Sequence, residues 1–493
     1  MRLDELSAAV AGAEIAGDGS VEIADLAYDS RRAGPGTLFF CVSGHASDGH
    51  DFALQAVEGG TSALVVERPL DLGVPELRVA DARAAMAPLA ARFHGDPTAE
   101  LLVSGITGTN GKTTTAFLLR EILEAAGTQT GLLGTVKQVV GGEESEVERT
   151  TPEAIDLQRT FRKMLDAGDR ACVIEVSSHA LTLGRSAGIR FAAAVFTNLT
   201  QDHLDFHDDM DDYFAAKRLL FAPEVGEPPR DSIVNVDDPY GARLAEEIGA
   251  IGFSAAGADA AYRAVDVTFD IAGSRFCCVS PSGEADVELP LPGHFNVENA
   301  LAAIATSAAI GVDLDTAAVA LARAERVPGR LEPVDEGQEY SVLVDYAHTP
   351  DSLENVLSAA RKLTDARLIC VFGCGGDRDR AKRPLMGAIG AELADLAIVT
   401  SDNPRSEPPE SIIDEVLAGI PGAGEAENVL VETDRRAAIA FAFERAGSAD
   451  VVVIAGKGHE QGQEFEGGRK IPFDDREVAR DELRRLAAGA ERA

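Results

Sequence analysis

One stretch combines the residue types that hold phosphate: Gly108-Thr109-Asn110-Gly111-Lys112-Thr113-Thr114. An apolar run at 101–103 precedes it and a helix-like run at 116–123 follows it. Where a strand passes through a glycine-rich turn into a helix, backbone N–H groups and the helix dipole face the anion, and a lysine adds a point charge. Thr113 directly follows Lys112, where its hydroxyl can ligate magnesium. The stretch therefore predicts a nucleoside triphosphate site.

The loop departs from the strict P-loop spacing, in which four residues separate Gly from Gly-Lys. Counting back from Gly111 reaches Ile106, and Gly105 lies one residue too far. A glycine-rich turn with a chance Lys-Thr is the alternative. The strand-like, loop and helix-like runs all fall where the motif requires them, which favours a phosphate loop.

Two further side chains could complete a magnesium shell with Thr113, namely Glu175 and His203. Hard cations prefer oxygen ligands, and water usually fills part of the octahedron. Glu175 could equally be an N-cap or turn acid. His203 and His207 stand at i, i+4, which could suggest zinc. However, no Glu follows the first histidine as in H-E-x-x-H and no third ligand is evident, which argues against zinc.

The pattern around these residues predicts the sheet that positions them. Continuous apolar runs alternate with helical runs, which indicates a parallel sheet covered on both faces, with strands at 171–176, 193–197 and 232–236. Ligands gather at the carboxyl ends of such strands. Lys217 would by default be a solvated helix lysine. Asn296 and Asn299 lie three apart, on one face of the first turn of an alanine-rich helix.

The N-terminal segment has the pattern of a small α/β module. Short strands are predicted at 28–32, 36–40, 48–51 and 62–66. Taken alone, Asp29-Ser30-Arg31 would more often be a strand-end turn than a site. The stretch 94–98 reads as a linker.

The C-terminal segment predicts a Rossmann-like sheet because strands alternate with helices. The strand candidates are 341–345, 367–372, 396–400, 428–432 and 450–454. No G-x-G-x-x-G follows the first of them, which argues against a dinucleotide cofactor. Polar clusters follow four of these strands, at 345–350, 373–378, 401–405 and 455–460. Each could be turn chemistry, but four at one sheet edge favour a ligand site.

Length and composition set the frame. A chain of 493 residues allows about three domains, and we predict them at 1–98, 99–331 and 332–493. The net charge of −37 argues against nucleic acid, and anionic substrates need local Lys, Arg or magnesium. No apolar run reaches the roughly 18 residues of a membrane span. The start of the chain lacks a signal-peptide core, and six cysteines do not form a disulfide framework, so we expect a reducing cytoplasm.

The separated motifs together resemble the Mur ligases, ATP-dependent amide-forming enzymes of peptidoglycan assembly. The family's Gly-Thr-Asn/Lys-Gly-Lys-Thr loop matches residues 108–113, which accounts for the unusual spacing. The resemblance spans nearly the whole chain and implies three α/β domains: a small uridine-binding module, a central P-loop ATPase domain and a Rossmann-like domain. It implies that ATP is held by the loop together with Asn296, Asn299, Arg330 and Asp345. It also places Glu175 and His203 near magnesium.

Within this family, 29–31 and 48–50 resemble the uridine-binding module of the enzymes that add the third peptide residue. The likeness implies that the UDP-muramoyl dipeptide is contacted by Ser30, Thr150, Thr151, Ser177 and Arg185. Leu183 occupies a position where the family usually has glutamine. Lys217 matches a lysine that the family carbamylates, which turns a cation into an oxygen ligand for a second magnesium.

The third substrate is predicted from Asp402-Asn403-Pro404-Arg405, which resembles the motif of ligases that add meso-diaminopimelate. The second carboxylate of diaminopimelate can pair bidentately with a guanidinium, whereas the ammonium of lysine would be repelled. Arg378, Gly456 and Glu460 match the remaining contacts. The implied reaction adds diaminopimelate to UDP-N-acetylmuramoyl-L-alanyl-D-glutamate in a cytoplasmic monomer. A lysine-adding ligase, a folylpolyglutamate synthetase and a nucleotide-binding regulator are the alternatives.

Overall fold

The computed structural model of the protein describes residues 1–44, 47–147, 149–224, 226–422 and 426–490, without the side chain of Ala490. Its contacts divide the chain into two compact units. The first unit consists of Met1–Thr107, Ala126–Val195 and Ala216–Ser232. The second unit consists of Gly108–Ala125, Phe196–Ala215 and Ile233–Ala493. The domain boundaries proposed from the sequence stay predictions.

Helices and strands alternate along most of the chain. The helices are α1 (Leu3–Ser7), α2 (Ala53–Glu58), α3 (Ala82–Phe93), α4 (Lys112–Ala125), α5 (Ala154–Ala167), α6 (Ser178–Thr182), α7 (Met210–Arg218), α8 (Pro239–Ile248), α9 (His294–Ala309), α10 (Leu314–Leu321), α11 (Pro350–Arg361), α12 (Lys382–Leu393), α13 (Pro409–Leu417), α14 (Arg435–Arg445) and α15 (Asp475–Ala490). The strands are β1 (Glu14–Ala16), β2 (Asp25–Ala27), β3 (Thr37–Phe40), β4 (Ala63–Val66), β5 (Glu76–Arg78), β6 (Leu102–Thr107), β7 (Thr130–Leu133), β8 (Gln138–Val140), β9 (Glu143–Ser145), β10 (Ala171–Glu175), β11 (Phe191–Phe196), β12 (Asp231–Asn235), β13 (Ile251–Ser254), β14 (Tyr262–Asp270), β15 (Gly273–Ser280), β16 (Gly283–Leu289), β17 (Glu332–Pro333), β18 (Ser341–Asp345), β19 (Leu368–Phe372), β20 (Leu396–Val399), β21 (Val429–Val431), β22 (Val451–Ala455), β23 (Gly462–Phe465) and β24 (Arg469–Pro472).

In the first unit, the N-terminal sheet has the order β1-β5-β4-β3-β2, parallel except for β1. Two predicted strands were wrong, because Ser30–Arg32 and Gly49–Phe52 form 3-10 helices. The physical reason is local. The side chains of Asp29 and Asp48 each accept a hydrogen bond from the backbone N–H two residues on, which turns the chain at once.

The same unit contains strands in the order β11-β6-β10-β7-β8-β9. β10 lies parallel to β6 and β7, as the continuous apolar runs predict, with Glu175 opposite Ile106 at the carboxyl end. β7, β8 and β9 form an antiparallel meander that the sequence analysis did not anticipate.

In the second unit, β12-β13-β14-β15-β16 begins parallel and ends antiparallel. The predicted purely parallel central sheet is therefore wrong at this end. The burial pattern of β16, whose residues are largely exposed, shows why no continuous apolar run marked it. α9, predicted from its alanine-rich sequence, is confirmed.

The C-terminal sheet has the order β17-β18-β22-β19-β20-β21 and is parallel from β18 onward. All five predicted strands are confirmed. Side chains alternate between two cores, so that Leu343 and Val453 face one layer while Val344 and Ile454 face the other. The first core is closed by α11, α12 and α13, and the second by α14 and α15. This arrangement is a three-layer α/β/α sandwich.

All six cysteines are free thiols. Within the described ranges, no helix is both long and apolar enough to cross a membrane.

A buried ion pair joins α14 and α15, the two helices that close the second core. Arg435 begins α14 and Asp475 begins α15, and both side chains are fully buried. Two hydrogen bonds of 2.8 and 2.7 Å join the guanidinium to the carboxylate. Nη2 of Arg435 also donates to the carbonyl oxygen of Ala455 at the end of β22. A charge removed from water in this way depends on its partner.

We expect Asp475→Ala to lower the free energy of unfolding by about 3–5 kcal/mol, because it leaves an uncompensated buried guanidinium. Urea unfolding of the full chain would measure this loss. The double variant Arg435→Leu/Asp475→Leu removes both charges and is expected to lose less. The account would be contradicted by an Asp475→Ala protein that is as stable as the wild type. It would also be contradicted by a double variant that is less stable than Asp475→Ala.

Candidate functional site

The phosphate-type loop between β6 and α4 is held from one side by residues 197–200. Thr109 N donates to the carbonyl oxygen of Asn198 at 3.0 Å, and Asn110 N donates to its side-chain oxygen at 2.8 Å. The Thr197 hydroxyl donates to the carbonyl oxygen of Asn110 at 2.6 Å. Asn110 also donates from Nδ2 to Asp351 on α11 at 2.7 Å. These polar contacts with neighbouring segments therefore fix the conformation of the loop.

Two glycines of the loop are required by space as well as by backbone conformation. Gly108 has φ +150 and Gly111 has φ +86. A Cβ at Gly108 would lie 1.8 Å from Oγ1 of Thr197, and one at Gly111 would lie 2.4 Å from Oδ1 of Asn299. A side chain fits at neither position.

Lys112 begins α4, and its ammonium bends back over the loop. Nζ donates to the carbonyl oxygens of Gly108 and Thr109, both at 2.8 Å. The cation is therefore held at the loop's centre, beside the helix N-terminus, where an anion is favoured. Thr113 and Thr114 follow it on the first turn of α4, and both are buried.

Asn296 and Asn299 lie on one face of α9, as predicted. Nδ2 of Asn299 donates to Oδ1 of Asn296 at 3.3 Å, and Nδ2 of Asn296 donates to the carbonyl oxygen of Pro292 at 2.8 Å. Oδ1 of Asn299 accepts from the hydroxyl of Thr115 on α4 at 3.2 Å. Both amides therefore stand beside the phosphate loop.

Arg330 is brought to the same loop from the start of the C-terminal segment. Nη2 donates to the hydroxyl of Thr113 at 3.2 Å, and the guanidinium lies over the ring of Tyr346 at 4.6 Å. Asp345 is buried next to it and accepts 2.7 Å hydrogen bonds from the backbone N–H groups of Leu331 and Ala347. Burial raises the pKa of Asp345, opposed by Arg330 and these hydrogen bonds.

A buried carboxylate, Asp202, gathers three basic groups. Its oxygens lie 3.4 Å from Nζ of Lys382, 3.4 Å from Nε2 of His203 and 3.9 Å from Nε2 of His348. Burial would raise the pKa of Asp202, but Lys382 and His203 hold it well below its usual range. Burial and the charge of Lys382 lower the pKa of His348. Sequence reasoning gave Lys382 and His348 no role, because their meeting point is a property of the fold.

His207, the second histidine of the zinc alternative, is used within the fold. Its Nδ1 lies 3.0 Å from Asp212, and its ring stacks on Tyr213 with centroids 4.9 Å apart. Among the described residues, no three His, Cys, Asp or Glu side chains are grouped to hold a metal ion.

The carboxyl ends of β18, β19, β20 and β22 meet at one edge of the C-terminal sheet, as predicted. Gly376 N donates to the carbonyl oxygen of Asn403 at 2.9 Å, and Gly456 N donates to that of Asp345 at 3.1 Å. A Cβ at Gly456 would lie 2.6 Å from Oδ2 of Asp402, so the loop after β22 closely approaches the loop after β20.

Arg405 follows Pro404 in a left-handed backbone conformation, φ +51. Its Nη1 donates to the carbonyl oxygen of Gly376 at 2.7 Å, and its Nε donates to Glu464 on β23 at 3.1 Å. Arg378 is exposed and donates to the carbonyl oxygen of Asp377. A Cβ at Gly375 would lie 3.0 Å from Nη1 of Arg405 and 3.8 Å from Cγ of Arg378, so the two arginines flank this glycine.

Asn403 and Glu460 are joined by a third residue that the sequence analysis left without a role, Lys457. Nδ2 of Asn403 donates to Oε2 of Glu460 at 2.8 Å. Nζ of Lys457 donates to Oδ1 of Asn403 at 3.0 Å and to Oε2 of Glu460 at 2.8 Å.

In the first unit, the end of β10 carries a second polar group. Glu175 accepts from the backbone N–H of Thr135 at 2.9 Å and from its hydroxyl at 3.1 Å. The hydroxyls of Thr135 and Thr150 are 3.1 Å apart. The hydroxyl of Thr151 donates to the carbonyl oxygen of Glu175 and accepts from the backbone N–H of Ser177.

Arg185 completes this group by donating to the carbonyl oxygen of Thr151 at 3.3 Å. Its Nε lies 3.0 Å from Glu153, a carboxylate that Arg83 and Arg149 also approach, at 3.5 and 3.0 Å. Burial, followed by the charges of Arg149 and Arg83, lowers the pKa of Arg185, against the opposing effect of Glu153. Three guanidiniums around one carboxylate leave a local positive excess suited to an anion.

Two further residues of the first unit for which the sequence predicted a role are Ser30 and Lys217. The hydroxyl of Ser30 donates to Gln55 at 2.9 Å. Lys217, in the last turn of α7, is only 1% exposed, so its default interpretation as a solvated helix lysine is wrong. A buried lysine of this kind needs a charged partner or a chemical change.

One acid on α9 was missed altogether. Burial raises the pKa of Glu298 to about 7, and the charges of Asp237 and Asp351 add to the effect. Its sequence context, one residue before Asn299, gave no signal of this environment.

Comparisons with known proteins agree with this geometry. Three family models match the chain: "Mur ligase family, catalytic domain" at 22–94, "Mur ligase middle domain" at 106–307 and "Mur ligase, glutamate ligase domain" at 329–458. They confirm the predicted three-domain α/β organisation.

Individual relatives are similar over nearly their whole length. A Gloeobacter violaceus protein named UDP-N-acetylmuramoyl-L-alanyl-D-glutamate--2,6-diaminopimelate ligase is 47% identical, with 98% of each chain covered. A solved structure of a ligase with the same name is 31% identical, with a TM-score of 0.70 and 99% of each chain covered. A Thermotoga maritima MurF ligase in complex with ADP shares the fold at 17% identity, with a TM-score of 0.63 and coverage of 95% and 98%.

The matched segments, the identity to relatives over the full length and the loop with its asparagines and arginine lead to one conclusion: this chain belongs to the Mur ligase family.

Proposed function

We propose that the protein is an ATP-dependent ligase that joins meso-2,6-diaminopimelate to UDP-N-acetylmuramoyl-L-alanyl-D-glutamate in peptidoglycan precursor synthesis. The observation that carries the proposal is the placement of Arg405 beside Asn403 and Glu460 at one sheet edge. The full-length identity to ligases named for this reaction supports it.

ATP is assigned to the loop at 108–114 together with Asn296, Asn299, Arg330 and Asp345. Lys112 and the helix N-terminus supply the positive charge that a triphosphate needs in a chain of net charge −37. The Thermotoga maritima ligase, which shares the fold, is in complex with ADP, and this supports the use of an adenine nucleotide.

The muramoyl dipeptide is assigned to Ser30, Thr150, Thr151, Ser177 and Arg185. The positive excess around Glu153 suits the free carboxylates of its D-glutamate. Leu183 directly follows α6 as its C-cap and cannot offer the amide that the family's glutamine would supply, so Arg185 carries more of this recognition.

Diaminopimelate is assigned to Arg378, Asp402, Asn403, Pro404, Arg405, Gly456 and Glu460. Guanidinium groups pair with a carboxylate in a fixed planar geometry, and a glutamate accepts from an ammonium. One end of a diamino diacid carries both groups, and the site offers both complements within one sheet edge.

Magnesium is assigned to Thr113, Glu175 and His203, as the family resemblance implies, with an N6-carboxylated Lys217 as a further ligand. All of these except His203 offer the oxygen donors that magnesium prefers. Magnesium is usually held by few protein ligands, with phosphate and water completing its shell. When bound it would offset charge on the transferring phosphoryl group.

The chemistry needs no protein nucleophile. The side-chain carboxylate of the D-glutamate attacks the γ-phosphorus of ATP, which releases ADP and gives an acyl phosphate. The amine of diaminopimelate then attacks the acyl carbon, phosphate leaves and the ammonium proton is lost to a base or water. Lys112 and Arg330 would stabilise charge on the phosphoryl oxygens, as in other phosphoryl transfers. Because one chain supplies every assigned residue and its cysteines are free thiols, we propose a monomer acting in the cytoplasm.

The proposal is tested by phosphate release from ATP with the UDP-muramoyl dipeptide and a panel of amino acids. We expect turnover with diaminopimelate and much less with lysine. Turnover with lysine alone would favour the lysine-adding ligase, and no turnover with any amino acid would favour a nucleotide-binding regulator.

Lys112→Ala is expected to lower kcat by at least about 100-fold, the effect of removing one preorganised charge stabiliser. The exposed Lys163 on α5 provides a matched control, since Lys163→Ala removes the same charge away from the loop. Equal rates in Lys112→Ala and wild type, with both folded by circular dichroism, would overturn the assignment of the loop.

Arg405→Ala is expected to raise the KM for diaminopimelate by about 10- to 100-fold, the cost of a lost bidentate charge-assisted pair. The KM for ATP should stay unchanged. Arg469→Ala on the exposed strand β24 is the control, because it removes a guanidinium from the neighbouring hairpin. An unchanged preference for diaminopimelate over lysine in Arg405→Ala would show that Arg405 does not select the substrate.

A further inference from the structure

Lys457 lies between β22 and β23, and its side chain is fully buried. Lysines are almost never buried to this extent unless they are paired. Its ammonium donates to Oδ1 of Asn403 and to Oε2 of Glu460. The buried ammonium therefore binds two residues that the proposed function assigns to the amino-acid substrate. Because it is not exposed, it does not contact the substrate itself.

The contacts of Lys457 determine which way the Asn403 amide points. Oδ1 of Asn403 accepts from Nζ of Lys457 and from the backbone N–H of Glu464, both at 3.0 Å. A reversed amide would set its NH2 group against two donors. The NH2 group is therefore directed to Glu460, where it donates to Oε2.

The same network leaves the two oxygens of Glu460 unequal. Oε2 accepts from both Lys457 and Asn403, at 2.8 Å each. Among the residues that the structure describes, Oε1 makes no hydrogen bond, and the side chain is 28% exposed. One oxygen is anchored while the other is available to a donor from solution.

Charge reinforces this geometry. A second carboxylate, Asp402, is buried nearby, and Gly456 separates it from the guanidinium of Arg435. Burial would raise the pKa of Asp402, but Lys457 and then Arg435 hold it below its usual value. Without the lysine, the buried Asp402 would lose a neighbouring cation, and its pKa would rise.

We propose that Lys457 is a positioning residue for the amino-acid substrate: it orients Asn403 and anchors Glu460 through one oxygen, so that the other oxygen is free for an ammonium group of a diamino acid. The inference rests on the proposed function, since it concerns how that same site recognises its amine.

The first test is kinetic. Wild-type turnover with diaminopimelate is established beforehand, so that failure of the proposed function appears as an inactive wild type. Lys457→Met keeps the length of the side chain without the charge. We expect the KM for diaminopimelate to rise on the order of tenfold or more, which corresponds to one lost charge-assisted hydrogen bond. The KM values for ATP and for the UDP-muramoyl dipeptide should stay within about twofold, and an unchanged KM for diaminopimelate would overturn the proposal.

A double-mutant cycle separates positioning from general damage. If Lys457 acts through Glu460, the KM of Lys457→Met/Glu460→Gln should be no higher than that of the worse single variant. A double variant whose rise in KM equals the product of the two single rises would overturn the proposal.

Arg367→Met is the matched control. Its guanidinium pairs with the buried Asp450 at the opposite end of β19 and β22, so its loss should reduce stability without changing the KM for diaminopimelate. A rise in KM there as large as in Lys457→Met would show that any lost cation in the sheet has this effect, and would overturn the proposal. If Lys457→Met does not fold, Lys457→Gln replaces it. This variant removes the charge but keeps an NH2 donor, so a smaller rise in the KM for diaminopimelate is expected, and an unchanged KM would overturn the proposal.

Discussion

The structure depends on where a chain with 82 acidic and 45 basic residues places its few buried cations. At long range such a chain repels the anions that it must bind, so attraction has to be built locally. Lys112 and Arg330 supply this attraction at the phosphate loop. The buried cations are instead paired, Lys382 with Asp202 and Lys457 with Glu460. Each pair lies at a strand or helix end, because only there can a charge be fully hydrogen-bonded without interrupting the sheet.

The parallel arrangement of the strands brings the residues of the site together. Because β18, β22, β19 and β20 are neighbours and parallel, the loops that follow them open at one edge. Residues distant in sequence, such as Asn403 and Glu460, then come within hydrogen-bond distance. Each loop contributes only a few polar residues, and these form a site only because the sheet places another such loop next to them.

This division explains what could be predicted from the sequence. The five C-terminal strands were located to within about a residue, because a strand buried on both faces must be a continuous apolar run. The loop at 108–113 and the pair Asn296 and Asn299 were found because their spacing is itself the signal. Lys457 could not be recognised, because nothing in a Gly-Lys-Gly sequence shows that the lysine is buried or which carboxylate it meets. The 3-10 helix at Ser30–Arg32 was missed because one aspartate side chain, Asp29, decided the local backbone.

The contacts of the phosphate loop also bear on how binding energy is used there. Lys112 donates to two neutral carbonyl oxygens of its own loop, and Arg330 already donates to Thr113 and stacks on Tyr346. A phosphate at this position would exchange neutral acceptors for charged ones instead of ordering free side chains. Such an exchange costs little conformational entropy, and charge-assisted hydrogen bonds are roughly twice as strong as neutral ones. The loop is therefore already ordered for a phosphate, and binding one replaces weaker hydrogen bonds by stronger ones.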